Sequence, residues 1–196
     1  MLFRSLSASY CFPVTILDVS KNGNTGTLLP TWPTNCPVYI DGKNNKMLKA
    51  FYFDGVNDYV NCGNASPLNI QGAITIMAWV KILAFSDHGR VTYKSLAYTM
   101  WLHTSFRFYV SLRFTDGWYD FFKTTGDLVA NTWYHFAFTY DKTDHIGRLY
   151  LNGVYCGGRQ KTGLVDYRIQ ISANPLYFGR AEAVQYQKQN LDCVCL

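Results

Sequence analysis

The sequence predicts an all-β sandwich, on three observations. Of its 196 residues, 17% are aromatic and 16% charged, and aromatic and β-branched side chains suit a pleated surface. Short apolar segments recur, each bounded by Gly, Asn, Asp or Pro, with no 3.6-residue period. Twelve acidic residues are Asp and a single one, Glu182, is Glu, which removes the Glu/Lys pairs that brace long helices. At 22.4 kDa the chain has room for one well-packed core.

Along the chain, Leu6, Ala8, Tyr10 and Phe12 alternate with Ser and Cys, the period of a half-buried strand rather than the apolar core of a signal peptide. DVSKNGNTGTLL (18 to 29) is a loop in which Gly and Asn supply positive φ and Asp or Ser bind their own backbone. LPTWPTNCPVYIDGKNNK holds three prolines and a turn at Asp41-Gly42, hence an irregular connection. MLKAFYFDG, DYVNCG and AITIMAWVKIL then read as strands. In the last, Ile74, Ile76, Ala78 and Val80 share one face, with Ala73, Thr75, Met77, Trp79 and Lys81 on the other. So few polar residues predict that both faces are covered. RVTYKS, YTMWLHT, FRFYVSLRF, WYDFFKT, TWYHFAFTYD, RLYLNGVYC and PLYFGR are further strands, and Asn152-Gly153 is the preferred pair for a type I′ hairpin. Trp79 and Trp133, inside apolar strands, are expected as anchors of the core.

In their order, DVSKNGNTGTLL, KAFYFDGVNDYVNCG, AITIMAWVKI, NTWYHFAFTYD, RLYLNGV and PLYFGR resemble the laminin G-like branch of the concanavalin A-like lectin and glucanase superfamily. The resemblance implies a two-sheet antiparallel jelly roll, with residues 1–180 as the domain. It also implies a closing strand of the form Gly-x-Ile-Asp-Glu-Val-x-Ile-Tyr, which is not recognised here. Residues 181–196 are therefore expected to be an aberrant or truncated tail, and the sandwich to lack its closing strand, leaving unpaired backbone groups on its neighbours.

Three regions are candidate sites, each with a structural and a functional reading. Many relatives bind calcium, which needs six to eight oxygen ligands; Asp18, Asn22 and Asn24 offer some of them, or form an Asx and Gly turn without metal. In FDGVNDYV, Asp54, Asn57 and Asp58 either bind their own backbone or present acceptors to sugar hydroxyls or an ion. In TDGWYD, Asp116, Trp118, Tyr119 and Asp120 combine ring faces with carboxylates, as a carbohydrate platform requires, or make a hairpin tip with one packed aromatic. The sequon Asn64-Ala65-Ser66 is followed by Pro67.

A non-catalytic recognition module is expected, with a glycan-active hydrolase that uses an unrecognised Asp pair, or a degenerate fragment of a larger surface protein, as the alternatives. Glucanases of this superfamily use Glu-x-Asp-x-x-Glu on one strand, which a chain with one Glu cannot build. His88, His103, His135 and His145 adjoin no Ser or Cys nucleophile motif. The net charge of +5 comes from scattered Lys and Arg, with no basic stripe for nucleic acid, and no run reaches the eighteen apolar residues of a membrane span. The expected partners are glycans or cell-surface proteins, at an extracellular or particle surface. Six cysteines, at 11, 36, 62, 156, 193 and 195, allow three disulfides in an oxidising compartment or six free thiols.

Overall fold

A computed structural model describes residues 15–18, 22–29, 37–45, 50–84, 89–122, 128–180 and 188–195. The strand expected at 6 to 12 lies outside them. The described strands are β1 (Thr15–Ile16), β2 (Gly26–Leu29), β3 (Val38–Ile40), β4 (Ala50–Asp54), β5 (Tyr59–Asn61), β6 (Ala73–Ile82), β7 (Gly89–Lys94) and β8 (Tyr98–His103). They continue with β9 (Arg107–Phe114), β10 (Gly117–Phe122), β11 (Trp133–Asp141), β12 (Ile146–Leu151), β13 (Val154–Gln160), β14 (Leu176–Phe178) and β15 (Lys188–Cys195). Short 3-10 turns occupy Lys43–Asn45 and Ser66–Leu68.

All pairings are antiparallel and form two sheets. The first runs β1-β2-β5-β14-β7-β8-β9-β10 and the second β13-β12-β11-β6-β15-β4-β3. Their inner faces meet in one core, where rings from the first sheet touch rings from the second: Phe108–Phe136 at 4.5 Å, Phe121–Phe138 at 5.2 Å and Phe114–Tyr140 at 5.6 Å between centroids. Each fully buried ring contributes on the order of 2 kcal/mol of transfer free energy. The sandwich closes tightly at Gly147 on β12, where a Cβ would lie 2.2 Å from the Phe121 ring. The β12–β13 hairpin has Asn152 at φ 51° and Gly153 at φ 81°, the two positive φ values of a type I′ turn.

Two expectations are corrected. In β6, Ile74, Ile76, Ala78 and Val80 are buried, but the other face is not covered: Ala73 and Thr75 are exposed and Trp79 is half-buried. Trp133 begins β11 on the same outer face, since every second residue from Tyr134 onward is the buried one. Alternation therefore places both tryptophans outside the core they were expected to anchor. The closing strand is also present: β15 inserts between β4 and β6, with Leu191 opposite both Phe51 and Val80, so these neighbours have no unpaired edge there. Its sequence, Leu191-Asp192-Cys193-Val194, keeps the apolar-Asp-x-Val kernel of the expected pattern, with Leu191 for Ile and Cys193 where Glu stands.

Candidate functional site

The loop between β1 and β2 is closed by a carboxylate, with Asp18 Oδ2 accepting the Asn24 N–H at 2.7 Å. Asn24 Oδ1 is buried with no donor facing it, while Asn22 is exposed in the turn. Among the described residues no three His, Cys, Asp or Glu side chains gather as a metal centre.

The second region turns back on itself between β4 and β5. Asp54 Oδ1 accepts the N–H groups of Val56 at 2.8 Å and Asn57 at 3.4 Å, and Asp58 Oδ2 accepts the Asp54 N–H at 2.9 Å. Asp58 is 3% exposed, and burial pushes its carboxyl up to about 6. The Asp54 N–H opposes that rise and the Asp54 charge adds to it. Asp58 Oδ1 and Asn57 Oδ1 are buried without a donor.

The third region does not stay together. Asp116, in the β9–β10 turn, pairs with Lys161 at 2.5 Å. Strand alternation then sends Tyr119 inward, where it packs against the core, donates from its hydroxyl to the Gln160 carbonyl at 2.8 Å and carries Arg159 at 4.6 Å from its ring. Trp118, 40% exposed, and Asp120 face outward.

On that outward side they join residues that no motif had singled out. Register aligns Asn61, Tyr177, Tyr93, Thr99, Ser111 and Asp120 in one row across six strands, β5-β14-β7-β8-β9-β10. Directly opposite residues point to the same side of a sheet, so these six share its outer side as a ladder: Asp120 is exposed, Asn61, Tyr93 and Tyr177 are half-buried, and Thr99 and Ser111 are buried beneath their neighbours, with the Thr99 hydroxyl donating to the Thr92 carbonyl at 2.8 Å. Beside the ladder, Trp101 stacks on Tyr109 with centroids 4.3 Å apart and planes at 19°. A hydrogen-bond relay ties this stack to the ladder: Trp101 Nε1–H donates to Ser111 Oγ at 2.9 Å, and Ser111 donates to Asp120 Oδ1 at 2.5 Å. His103 Nδ1 lies 3.0 Å from the Ser105 backbone N and 2.7 Å from the Ser105 hydroxyl. The Arg90 guanidinium lies 5.3 Å from the Trp101 ring and 5.4 Å from Tyr93, and that of Arg180 lies 4.2 Å from Tyr59 and 5.0 Å from Tyr177, at cation–π range. Cross-strand register was the signal that could have found this face, and register is fixed only once the strands are paired.

Cys62 is a buried thiol whose chemistry is limited, because burial pushes it up to about 12. No helix among the described residues is long and apolar enough to cross a membrane.

A family model of the concanavalin A-like lectin/glucanases superfamily, of the laminin G type, matches residues 54–194. No curated protein matches in sequence. Several solved structures share the fold. A structure of botulinum neurotoxin type C, whose cell entry is described as dependent upon interaction with two ganglioside molecules, aligns over 89% of this chain and 42% of its own, at 11% identity and a TM-score of 0.63. Domain 4 of AbnA, a GH43 extracellular arabinanase from Geobacillus stearothermophilus determined in complex with arabinotriose, aligns over 90% and 86%, at 17% identity and a TM-score of 0.61. The binding domain of Paraclostridial mosquitocidal protein 1 aligns over 80% and 41%, at 14% identity and a TM-score of 0.61. This chain thus spans less than half the length of two of the three.

Proposed function

This chain belongs to the concanavalin A-like lectin/glucanase superfamily, and from that premise we propose that it is a non-catalytic module that recognises glycans on the outer face of its first sheet. The observation that carries the reading is the accessible part of this row, exposed Asp120 with half-buried Asn61, Tyr93 and Tyr177, beside the half-buried Tyr109 ring, all braced from beneath by the buried Thr99, Ser111 and Trp101. A saccharide offers hydroxyls along its edges and apolar C–H faces above and below. It therefore calls for hydrogen-bonding groups in a row with rings alongside, on a surface that is rigid before the ligand arrives. Trp118 and Asp120, at the exposed margin, supply a ring and a charged acceptor. Two structures of the same fold carry sugar ligands or ganglioside dependence in their descriptions, which supports the same class of partner, a glycan or a glycosylated cell-surface protein. Such a partner places the protein at an extracellular or particle surface. A sequence with Glu182 as its one glutamate supports binding without hydrolysis.

Calcium has a role in this reading at the β1–β2 loop. The orphaned, buried Asn24 Oδ1 and the carboxylate of Asp18 are hard oxygen donors of the kind calcium selects, with Asn22 on the same loop. Bound there, the ion would satisfy Asn24 Oδ1 and stiffen the loop.

Binding to an immobilised glycan panel, with and without chelator, tests the proposal. Trp118→Ala and Asp120→Asn are each expected to weaken binding about tenfold, near 1.4 kcal/mol. A chain that binds no glycan under either condition, or variants that bind as tightly as the parent, would overturn it.

A further inference from the structure

The second sheet carries a cavity on its own outer face, on the opposite side of the sandwich from the ladder. It measures about 470 Å³, opens widely to solvent, and is lined by Lys43, Trp79, Trp133, His135, Asn152 and Gly153. Its construction follows from pairing: His135 on β11 lies opposite Trp79 on β6, and Trp133 lies opposite Lys81. The Trp79 and His135 rings are 5.0 Å apart at 52°, and the Lys43 ammonium sits 3.3 Å above the Trp79 ring. The hairpin forms the far wall, where Asn152 Oδ1 accepts the His135 N–H at 2.9 Å and the Asn152 N–H donates to the His135 carbonyl at 2.8 Å.

We propose that this cavity is a second saccharide site, which takes one or two sugar units with a ring face against Trp133. Trp79 is held between Lys43 and His135, whereas the Trp133 indole makes no ring contact with any described residue. Neither indole Nε1–H donates a hydrogen bond to a described residue, and the Asn152 amide N–H₂ is also directed to no described acceptor. The wall is thus rich in donors and ring surface, and a sugar supplies acceptor oxygens and C–H faces in the same small volume. Burial, and then the charge of Lys43, hold His135 below its ordinary value, so the imidazole is neutral at pH 7 and offers one donor and one acceptor. An open cavity of this size suits a small polar ring better than an enclosed apolar ligand. The inference does not rest on the ladder. With both sites occupied, one copy of the chain bridges two glycans across the thickness of the sandwich.

Intrinsic tryptophan fluorescence of the full chain, titrated with maltotriose, cellotriose, arabinotriose and chitotriose, tests this. In a Trp118→Ala/Asp120→Asn background, at least one trisaccharide is expected still to bind and shift the emission. Adding Trp133→Ala should weaken that binding at least tenfold, and adding Lys43→Ala a few-fold. Lys43 lies on a partly exposed 3-10 turn, so the lysine variant and a milder Trp133→Phe carry the test if Trp133→Ala does not fold. A Trp118→Ala/Asp120→Asn protein that binds none of the four sugars overturns the second site and leaves the ladder standing. Binding unchanged by Trp133→Phe and by Lys43→Ala overturns it as well. If the Trp133 variants alone abolish binding, the ladder fails and the cavity stands.

Discussion

Replacing Asp58 by Asn should make the protein more stable at neutral pH and leave it nearly unchanged in acid. Asp58 is 3% exposed, one of its oxygens has no donor, and its carboxyl titrates at about 6 against an ordinary 3.8. A shift of about two pKa units corresponds to a ceiling of about 3 kcal/mol, and solvent screening at the turn brings the expected effect to about 1–2 kcal/mol. The sign follows from proton binding. The folded state holds this proton more tightly than the unfolded state, so below about pH 3.8 both are protonated and ionisation costs nothing. Between about 3.8 and 6 the unfolded chain ionises first and stability falls as pH rises; above that window the full penalty is present. The carboxamide of an Asp58→Asn variant would keep an oxygen for the Asp54 N–H and carry no charge at any pH. Urea unfolding of parent and variant at about pH 3.5 and pH 7.5 measures the difference. An advantage for Asp58→Asn that is the same at both pH values, or a variant less stable at neutral pH than in acid relative to the parent, would refute the reasoning. It would also return Asp58 to the role of a charged acceptor facing a ligand.

Gly147→Ala should cost about 2 kcal/mol, because its Cβ would lie 2.2–2.7 Å from three carbons of the buried Phe121 ring; an unchanged Tm would show that the two sheets give way easily at this point. Lys94 is buried and donates to Asn64 Oδ1 at 2.5 Å and to the Asn174 carbonyl at 2.7 Å. Lys94→Met should therefore destabilise by about 1 kcal/mol, by removing hydrogen bonds to the exposed Asn64 and the half-buried Asn174 carbonyl, which water can reach, and denaturant midpoints read this directly. Adding calcium to chelator-treated protein should raise Tm by several degrees at concentrations far above Kd; Asp18→Asn should abolish the rise, and a Tm indifferent to calcium in the parent would remove the ion from the β1–β2 loop.

The strand segments along the chain from DYVNCG to PLYFGR and the hairpin at Asn152-Gly153 were legible because each depends on local pattern: alternation for the strands, positive φ for the turn. Trp79 and Trp133 were misplaced because an aromatic in an apolar strand belongs to the core only if its parity is right. Trp79 sits one position out of step with Ile76, Ala78 and Val80, so parity alone contained the answer. The closing strand was obscured chiefly by Cys193 in place of a glutamate, while Leu191, Asp192 and Val194 kept the pattern. The ladder could not be read at all. Asn61, Ser111 and Tyr177 are distant in sequence and ordinary in isolation, and only pairing through β14 and β9 sets them in one row. The TDGWYD cluster failed in the opposite way, because neighbours along a strand point to opposite faces and Tyr119 is separated from Trp118 and Asp120 for that reason.

β15 pairs residue 191 with residues 51 and 80 at once, so the second sheet is completed by a segment translated long after both of its neighbours. Until it arrives, β4 and β6 each present a bare edge to the same gap, and the half-sheets on either side cannot join. Folding in the cell therefore waits on the end of this segment's synthesis, and the slot is a standing invitation to any stray extended peptide in the interval. A nascent chain stalled before residue 188 would expose that slot to chaperones, and a synthetic peptide spanning 188–195 supplied in trans would be expected to fill it.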